Sequence, residues 1–352
     1  MSEAPEVIVR AEGGVGRLTL NRPEALGALT TGMCDAMIAA LRQWRDDDSV
    51  AAVLIDHAGE RGFCAGGDIR ALVESVAGDG VAALAFFDTE YKLDHLISVY
   101  DKPVITVMDG AVMGGGVGIS LPARYRIATE RTRFAMPETG IGLFPDVGAG
   151  WFLPRLHDHV GVWLALTGAR LSAADCELLG LATDVIASAA LAELRVELAR
   201  EPEAIERILT EFEADAGRPP LATHRDDIER LFSGDSLEAV SEALEADGSD
   251  WAMAQLAAMA PKSPLSAKVA FRLIAGGLAP ASLAEDLKVE YRLAARLVRG
   301  HDFSEGVRAV IVDKDNAPQW RPSSLAEADA ALVESLFAPL PHDQEWAPLP
   351  DA

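Results

Sequence analysis

Two glycine-rich stretches and a small set of carboxylates are the residues in this chain whose type and spacing could do chemistry. The first stretch runs Gly62-Phe63-Cys64-Ala65-Gly66-Gly67-Asp68-Ile69-Arg70, and the second runs Gly114-Gly115-Gly116-Val117-Gly118. Glycines let main-chain N–H groups approach a ligand with no Cβ in the way, and a following helix start adds partial positive charge. Two amides from two such loops, meeting at one carbonyl oxygen, would form an oxyanion hole; removing one donor typically costs ~3 kcal/mol of transition-state stabilisation. The second loop fits neither GxGxxG nor GxxxxGK[ST], so dinucleotide and P-loop sites are not expected. The segment 134–150, FAMPETGIGLFPDVGAG, sets Glu138 and Asp146 among apolar residues. Carboxyls in such surroundings are acid, base or nucleophile candidates, because burial raises their pKa. Each feature also has a plainer reading. The first loop alone is more simply a strand-to-helix turn with Asp68 as N-cap, and Glu138 and Asp146 read as helix starts after Pro137 and Pro145. Glu90 reads as a helix-surface carboxylate, Cys64 as a small core residue, and His157-Asp158-His159 as a solvated turn rather than a zinc pair. No GxSxG elbow is present.

The elements that must position these residues follow from the hydrophobic pattern. Residues 7–20 form two β-rich runs around Glu12-Gly13-Gly14, a hairpin. Met33, Met37, Leu41 and Trp44 mark a helix over 31–44. Residues 51–56, 103–107 and 125–129 are short buried-strand candidates, and 68–76 and the stretch from the second glycine loop to about Pro122 read as helices. The order strand, glycine loop, helix, strand thus occurs twice, which predicts stacked ββα units and an α/β class. Ser172 and Asp175 match a capping box. Beyond about residue 190 strand signals fade, and Ala-, Glu- and Leu-rich segments, 264–299 among them, predict a packed helical extension without a linker.

Composition bounds the function classes. The chain has 352 residues, 49% of them hydrophobic and 24% charged. A chain this long buries about 75% of its unfolded surface and needs no disulfide or metal staple. Arg and Lys total 31 against 55 Asp and Glu, a formal charge of -24. Such a surface repels phosphate backbones, so nucleic acid is not an expected partner. Cys34, Cys64 and Cys176 are odd in number and far apart, which predicts reduced thiols and no zinc site. No apolar run reaches the ~20 residues of a membrane span. The start has no basic stretch followed by an apolar one, so a cytoplasmic protein without a signal peptide is expected.

Taken together, NRPEALGAL, FCAGGDI, DGAVMGGGVG, PETGIGLFPDVGAGWFLPRL and ALTGARLSAADCELLGLA resemble the crotonase (enoyl-CoA hydratase/isomerase) superfamily over the first 190 residues. FFDTEYKLDHLI (86–97) and YRLAARLVRGHDFSEGVRAVIVDKDNAPQW (291–320) extend the resemblance to the branch that hydrolyses 3-hydroxyisobutyryl-CoA, and with it 3-hydroxypropionyl-CoA, in valine degradation. The resemblance implies a crotonase-like spiral of ββα units over 1–195, carrying the acyl-CoA site, and an α-helical C-terminal region over 196–352. It implies an oxyanion hole from the N–H groups of Gly67 and Gly115, catalytic carboxyls at Glu138 and Asp146, and a substrate contact at Glu90. It implies no metal and no cofactor, with CoA part of the substrate and Arg61 or Arg70 near its phosphates. Superfamily relatives assemble as trimers or pairs of trimers, so a homo-oligomer is implied, with the helical tail placed to cover that interface. Hydratases of the superfamily carry a second glutamate two residues beyond the three glycines, where this chain has Gly118. Hydration needs two positioned carboxylates, which turns the expectation toward hydrolysis. The alternatives are an enoyl- or dienoyl-CoA isomerase, which pairs Glu and Asp eight residues apart as Glu138 and Asp146 are, a hydratase, or an acyl-CoA binder without turnover. Many relatives have Asn where this chain has Gly27.

Overall fold

A computed structural model describes residues 4–350. It opens with the expected hairpin, β1 (Val7–Glu12) and β2 (Val15–Leu20), joined by Gly13 and Gly14. Both glycines have positive φ, at 56° and 87°, the backbone that a two-residue hairpin turn demands. The chain then enters α1 (Thr31–Arg45), capped by Thr30, whose hydroxyl accepts from the Met33 N–H at 3.1 Å. Its Met33, Met37, Leu41 and Trp44 are buried, one apolar stripe facing the sheet.

From there the backbone winds through three similar turns. β3 (Ala52–His57), β5 (Val104–Met108) and β7 (Tyr125–Ala128) enter one sheet, in the order β1-β2-β3-β5-β7-β9, with β9 (Asp184–Val185) last. Every pairing in it except the hairpin is parallel. Each of those strands is followed by a three-residue partner, β4 (Gly62–Cys64), β6 (Ala111–Met113) and β8 (Arg133–Ala135). The three short strands make a second parallel sheet, β4-β6-β8. Two strands per turn, one in each sheet, is the ββα spiral. The second sheet has no counterpart in the sequence reading, because three residues are too few to display alternation and glycine contributes no side chain to one of them.

Two helices cross this frame. α2 (Ile69–Val76) starts at Asp68, which caps it and binds Arg22 Nη2 at 2.9 Å. α3 (Val81–Ser98) buries Phe86, Phe87, Glu90, Tyr91, Leu93, Asp94, Leu96 and Ile97. The expected helix from the second glycine loop is only the single turn α4 (Gly115–Gly118). The predicted capping box at Ser172 is formed, with Asp175 reaching back to the Ser172 N–H at 2.9 Å.

Among the described residues no strand follows β9. Helices Leu191–Arg200 and Ile205–Phe212 bury Leu194, Leu198, Ile208 and Leu209 against Leu54, Ile105 and Ile127 of the large sheet. Helix Leu283–Leu297 packs along α3, with Tyr291 edge-on to Tyr91 at 6.5 Å between ring centres. The helical region therefore closes over both the sheet and the glycine loops. Cys34, Cys64 and Cys176 are buried free thiols. No helix among the described residues is long and apolar enough to cross a membrane.

Candidate active site

Strands β4, β6 and β8 are parallel neighbours, so their carboxyl ends lie along one edge of the small sheet. Each ends in a residue set that the sequence reading singled out. β4 runs into Ala65-Gly66-Gly67, β6 into Gly114-Gly115, and β8 into Pro137-Glu138. A cleft of about 470 Å³ opens at this edge. Gly67, Gly115, Glu90, Glu138 and Asp146, all five candidate residues, line it. Arg61 and Arg70 do not; both are exposed, and Arg70 donates to the Ile311 carbonyl at 3.3 Å.

The glycine loops are held by their neighbours rather than by their own amides. Ala65 N–H donates to Leu26 C=O, Leu29 N–H to Gly66 C=O, and Asp68 N–H to Leu29 C=O. This clamp explains Gly27. Its φ is +68°, a left-handed value that Asn also tolerates, but a Cβ there would collide with the Phe63 carbonyl. The 26–29 segment thus lies closer to β4 than a side chain at residue 27 permits. Gly116 stacks on the Cys64 carbonyl, and an added Cβ would stand 2.8 Å from the Cys64 Cβ. The loops therefore touch backbone to backbone. Among the described residues, the N–H groups of Gly67 and Gly115 donate to no main-chain acceptor, and both residues line the same cleft.

Glu138 opens a short turn, Glu138–Ile141, just past β8. Its carboxyl is buried, Oε2 has no hydrogen-bond partner in the protein, and the Gly114 main-chain amide lies beside it. Burial raises its pKa well above the ordinary carboxyl value, and the charge of Asp146 adds to the rise. Asp146 does not cap a helix as the plain reading of its Pro-Asp pair has it. It accepts the Tyr91 hydroxyl at 2.8 Å, and burial lifts its pKa to about 6 although that hydrogen bond opposes the rise. Glu90 is buried at 2% exposure, which overturns its reading as a surface carboxylate. Its Oε1 is unpartnered and lies against Gly115, and burial together with Asp94, Asp146 and Glu138 raises its pKa strongly.

Three contributors escaped the sequence reading. Tyr91 and Asp94 sit on α3 beside Glu90, within a stretch quoted only as a family signature. Asp94 is fully buried with neither oxygen partnered, and it fills the space a side chain at Gly118 would need: a Cβ there would meet its Oδ2 at 2.6 Å and Oδ1 at 2.8 Å. Glu290, from helix Leu283–Leu297, accepts the N–H groups of Gly148 at 2.8 Å and Gly150 at 3.0 Å, and so anchors the loop that carries Asp146. No local motif marks it. Asp286, one turn before Glu290, is buried beside it, and desolvation lifts its pKa to about 7.

Raised carboxyl pKa values carry a definite sign for stability. A folded Asp286 binds its proton more tightly than the unfolded chain does, so its contribution is fully present below about pH 4 and is lost as pH rises through about 7. Asp286→Asn keeps a neutral hydrogen-bonding group beside Glu290. The variant is expected to unfold at higher temperature than the parent above pH 7, by a margin worth about 1 kcal/mol or more, and to lose that advantage near pH 4. Thermal melts at both pH values check this.

With the geometry in place, its relatives can be compared. Residues 15–337 match the family model for enoyl-CoA hydratase/isomerase. The chain belongs to the crotonase family. Among curated crotonase-family proteins, a 3-hydroxyisobutyryl-CoA hydrolase of Danio rerio, described as mitochondrial, is 44% identical over 344 residues, which span 95% of this chain and 90% of that protein. The Homo sapiens protein of the same description is 42% identical over 346 residues, 96% of this chain and 89% of its own. Among solved structures, a carnitinyl-CoA dehydratase from Mycobacterium thermoresistibile superposes with a TM-score of 0.93 at 39% identity, covering 98% of this chain and 99% of its own. An enoyl-CoA hydratase from Rhodobacter sphaeroides gives 0.90 at 38%, covering 97% and 100%. The crotonase fold expected from the sequence is the fold observed.

Proposed function

We propose that this crotonase-family protein hydrolyses 3-hydroxyisobutyryl-CoA to the free hydroxy acid and CoA. The observation that carries the reading is the contrast between Gly118 and Glu138. The cleft sets Glu138, with one oxygen free of any protein partner, beside the two glycine loops, while the place of the hydratases' second glutamate, residue 118, is a glycine whose side-chain space Asp94 fills. Addition of water across a double bond needs an acid and a base. Thioester cleavage needs one nucleophile or base and a site for the developing oxyanion. The two hydrolases above, at 44% and 42% identity across nearly their whole length, support the same reading.

In this reading the thioester oxygen lies between the N–H groups of Gly67 and Gly115. A Glu138 oxygen attacks the carbonyl carbon, the C–S bond breaks, and the thiolate leaves as CoA after taking a proton from the neighbouring acid. Water then opens the mixed anhydride, passing a proton back to that acid, releasing the hydroxy acid and restoring the Glu138 carboxylate. Direct activation of water by Glu138 gives the same products. Asp146, half-protonated near pH 6, and Glu90 hold the substrate hydroxyl and the mobile proton. CoA enters as part of the substrate, and the chemistry calls on no metal or redox group.

A second reading, hydration or isomerisation, is favoured by the names of the two superposed structures and by the eight-residue spacing of Glu138 and Asp146. One assay separates the two. Mixing the protein with 3-hydroxyisobutyryl-CoA is expected to free thiol, read with a colorimetric reagent. Unsaturated acyl-CoA is expected to keep its ultraviolet absorbance. A change in that absorbance without thiol release overturns the hydrolase reading.

A further inference from the structure

Among the described residues lining the cleft, Lys262 is the sole cation. It is half-buried and comes from the helical region, between helices Asp250–Met259 and Pro264–Ile274. Its placement is built from both sides. The Ser263 N–H donates to Thr139 C=O at 3.0 Å, and these two residues directly follow Lys262 and Glu138. The Ser263 hydroxyl donates to Asp302 at 2.6 Å, and Trp320 Nε1 donates to Pro261 C=O at 3.0 Å. The ammonium fills the gap between Gly140 and Gly168, where a Cβ on either glycine would lie 3.3 Å from Nζ.

We propose that Lys262 is a positioning residue of the reaction, whose ammonium, held by the 139–263 hydrogen bond in the cleft that Glu138 also lines, supplies the positive charge that favours the ionised form of the attacking carboxylate. This rests on the hydrolase reading. The cleft otherwise gathers acids: Glu90 from α3 and Asp146 from the loop before helix Ala149–Phe152, with Asp94 buried on α3 one turn beyond Glu90. Tyr91, on α3, is committed to Asp146. Asp302 faces Ser263 from helix His301–Val307, and Glu245 shares with Lys262 a second cavity behind the cleft. Burial raises the pKa of Glu138, Asp146 raises it further, and Lys262 opposes both. Burial in turn lowers the pKa of Lys262, and Glu138 restores part of it. Each group thus offsets part of what burial does to the other.

The test is the pH profile of kcat for thiol release from 3-hydroxyisobutyryl-CoA in the parent, Lys262→Met and Lys262→Arg. Lys262→Met is expected to move the acid limb up by about one pH unit, a loss of about tenfold on that limb. The loss shrinks at high pH, KM stays near the parent value, and Lys262→Arg keeps the parent profile. An unmoved limb, or an equal loss at every pH, overturns the proposal. If the parent frees no thiol, it is the hydrolase reading that fails. Thermal melts then test the charge pairing on their own. Between pH 5 and pH 8, Lys262→Met is expected to lose more stability than the parent, with the excess removed by adding Glu138→Gln. An excess that persists in the double variant, or no excess at all, overturns the pairing.

Discussion

Glu138→Gln is expected to lower thiol release from 3-hydroxyisobutyryl-CoA by at least about 10³-fold while leaving KM near the parent value. The amide keeps the shape of the side chain, its fit against Gly114 and the turn after β8, but neither attacks a carbonyl nor accepts a proton from water. The same substitution is expected to stabilise the fold. Glu138 is buried, one oxygen lacks a partner, and its pKa is raised by burial and by Asp146, so its ionised form is a burden on the folded state. A neutral group there removes that burden at neutral pH, worth about 1 kcal/mol or more for each pKa unit of the rise. Lost turnover with a raised melting temperature marks a residue retained for chemistry. Lost turnover with a lowered one would assign Glu138 to the architecture and remove the centre of the proposed reaction. Steady-state kinetics and a thermal melt at pH 7 are sufficient.

Gly116→Ala is expected to cut kcat by about 10²–10³-fold, although residue 116 touches no substrate. The added methyl has nowhere to go. The Cys64 carbonyl lies in its path, and that atom is main chain at the end of β4, held in the small sheet and by the clamp from residues 26–29. Relief comes only by parting the two glycine loops, which moves the Gly115 amide away from the Gly67 amide. Losing one oxyanion donor has an effect of this size. Overpacking at such a contact also costs about 1–3 kcal/mol of stability. A kcat within a few-fold of the parent, in a variant that still folds, would mean that the amides do not act as a pair.

How much of this was legible follows from the range over which each signal acts. The hairpin turn at Gly13-Gly14, the Ser172–Asp175 box and the apolar stripe of α1 are satisfied within a few residues, so local chemistry shows them in the chain. The three-residue strands β4, β6 and β8 are visible only in their pairings, since none has the length to display a period. Glu90 reads as a surface carboxylate because α3 is apolar all round except for a few acids. The packing of α1, α2, helix Leu283–Leu297 and the glycine loops against α3 is what encloses it.

For the site, residue types were readable and their meeting was not. FCAGGDI, MGGGVG and PETGIGLFPD name the amides and carboxyls, and their family resemblance named the fold and the class of reaction. The chain by itself determined the candidate amides, the candidate acids and the glycine at residue 118, because these are matters of which residue stands where. Only the tertiary structure decided that β4, β6 and β8 end side by side, that Asp94 fills the room beside Gly118, and that Lys262 and Glu290 arrive from more than a hundred residues away. The physical reason is that pKa shifts and oxyanion binding arise from distance and exclusion of water, and both are properties of packing between segments that share no local pattern.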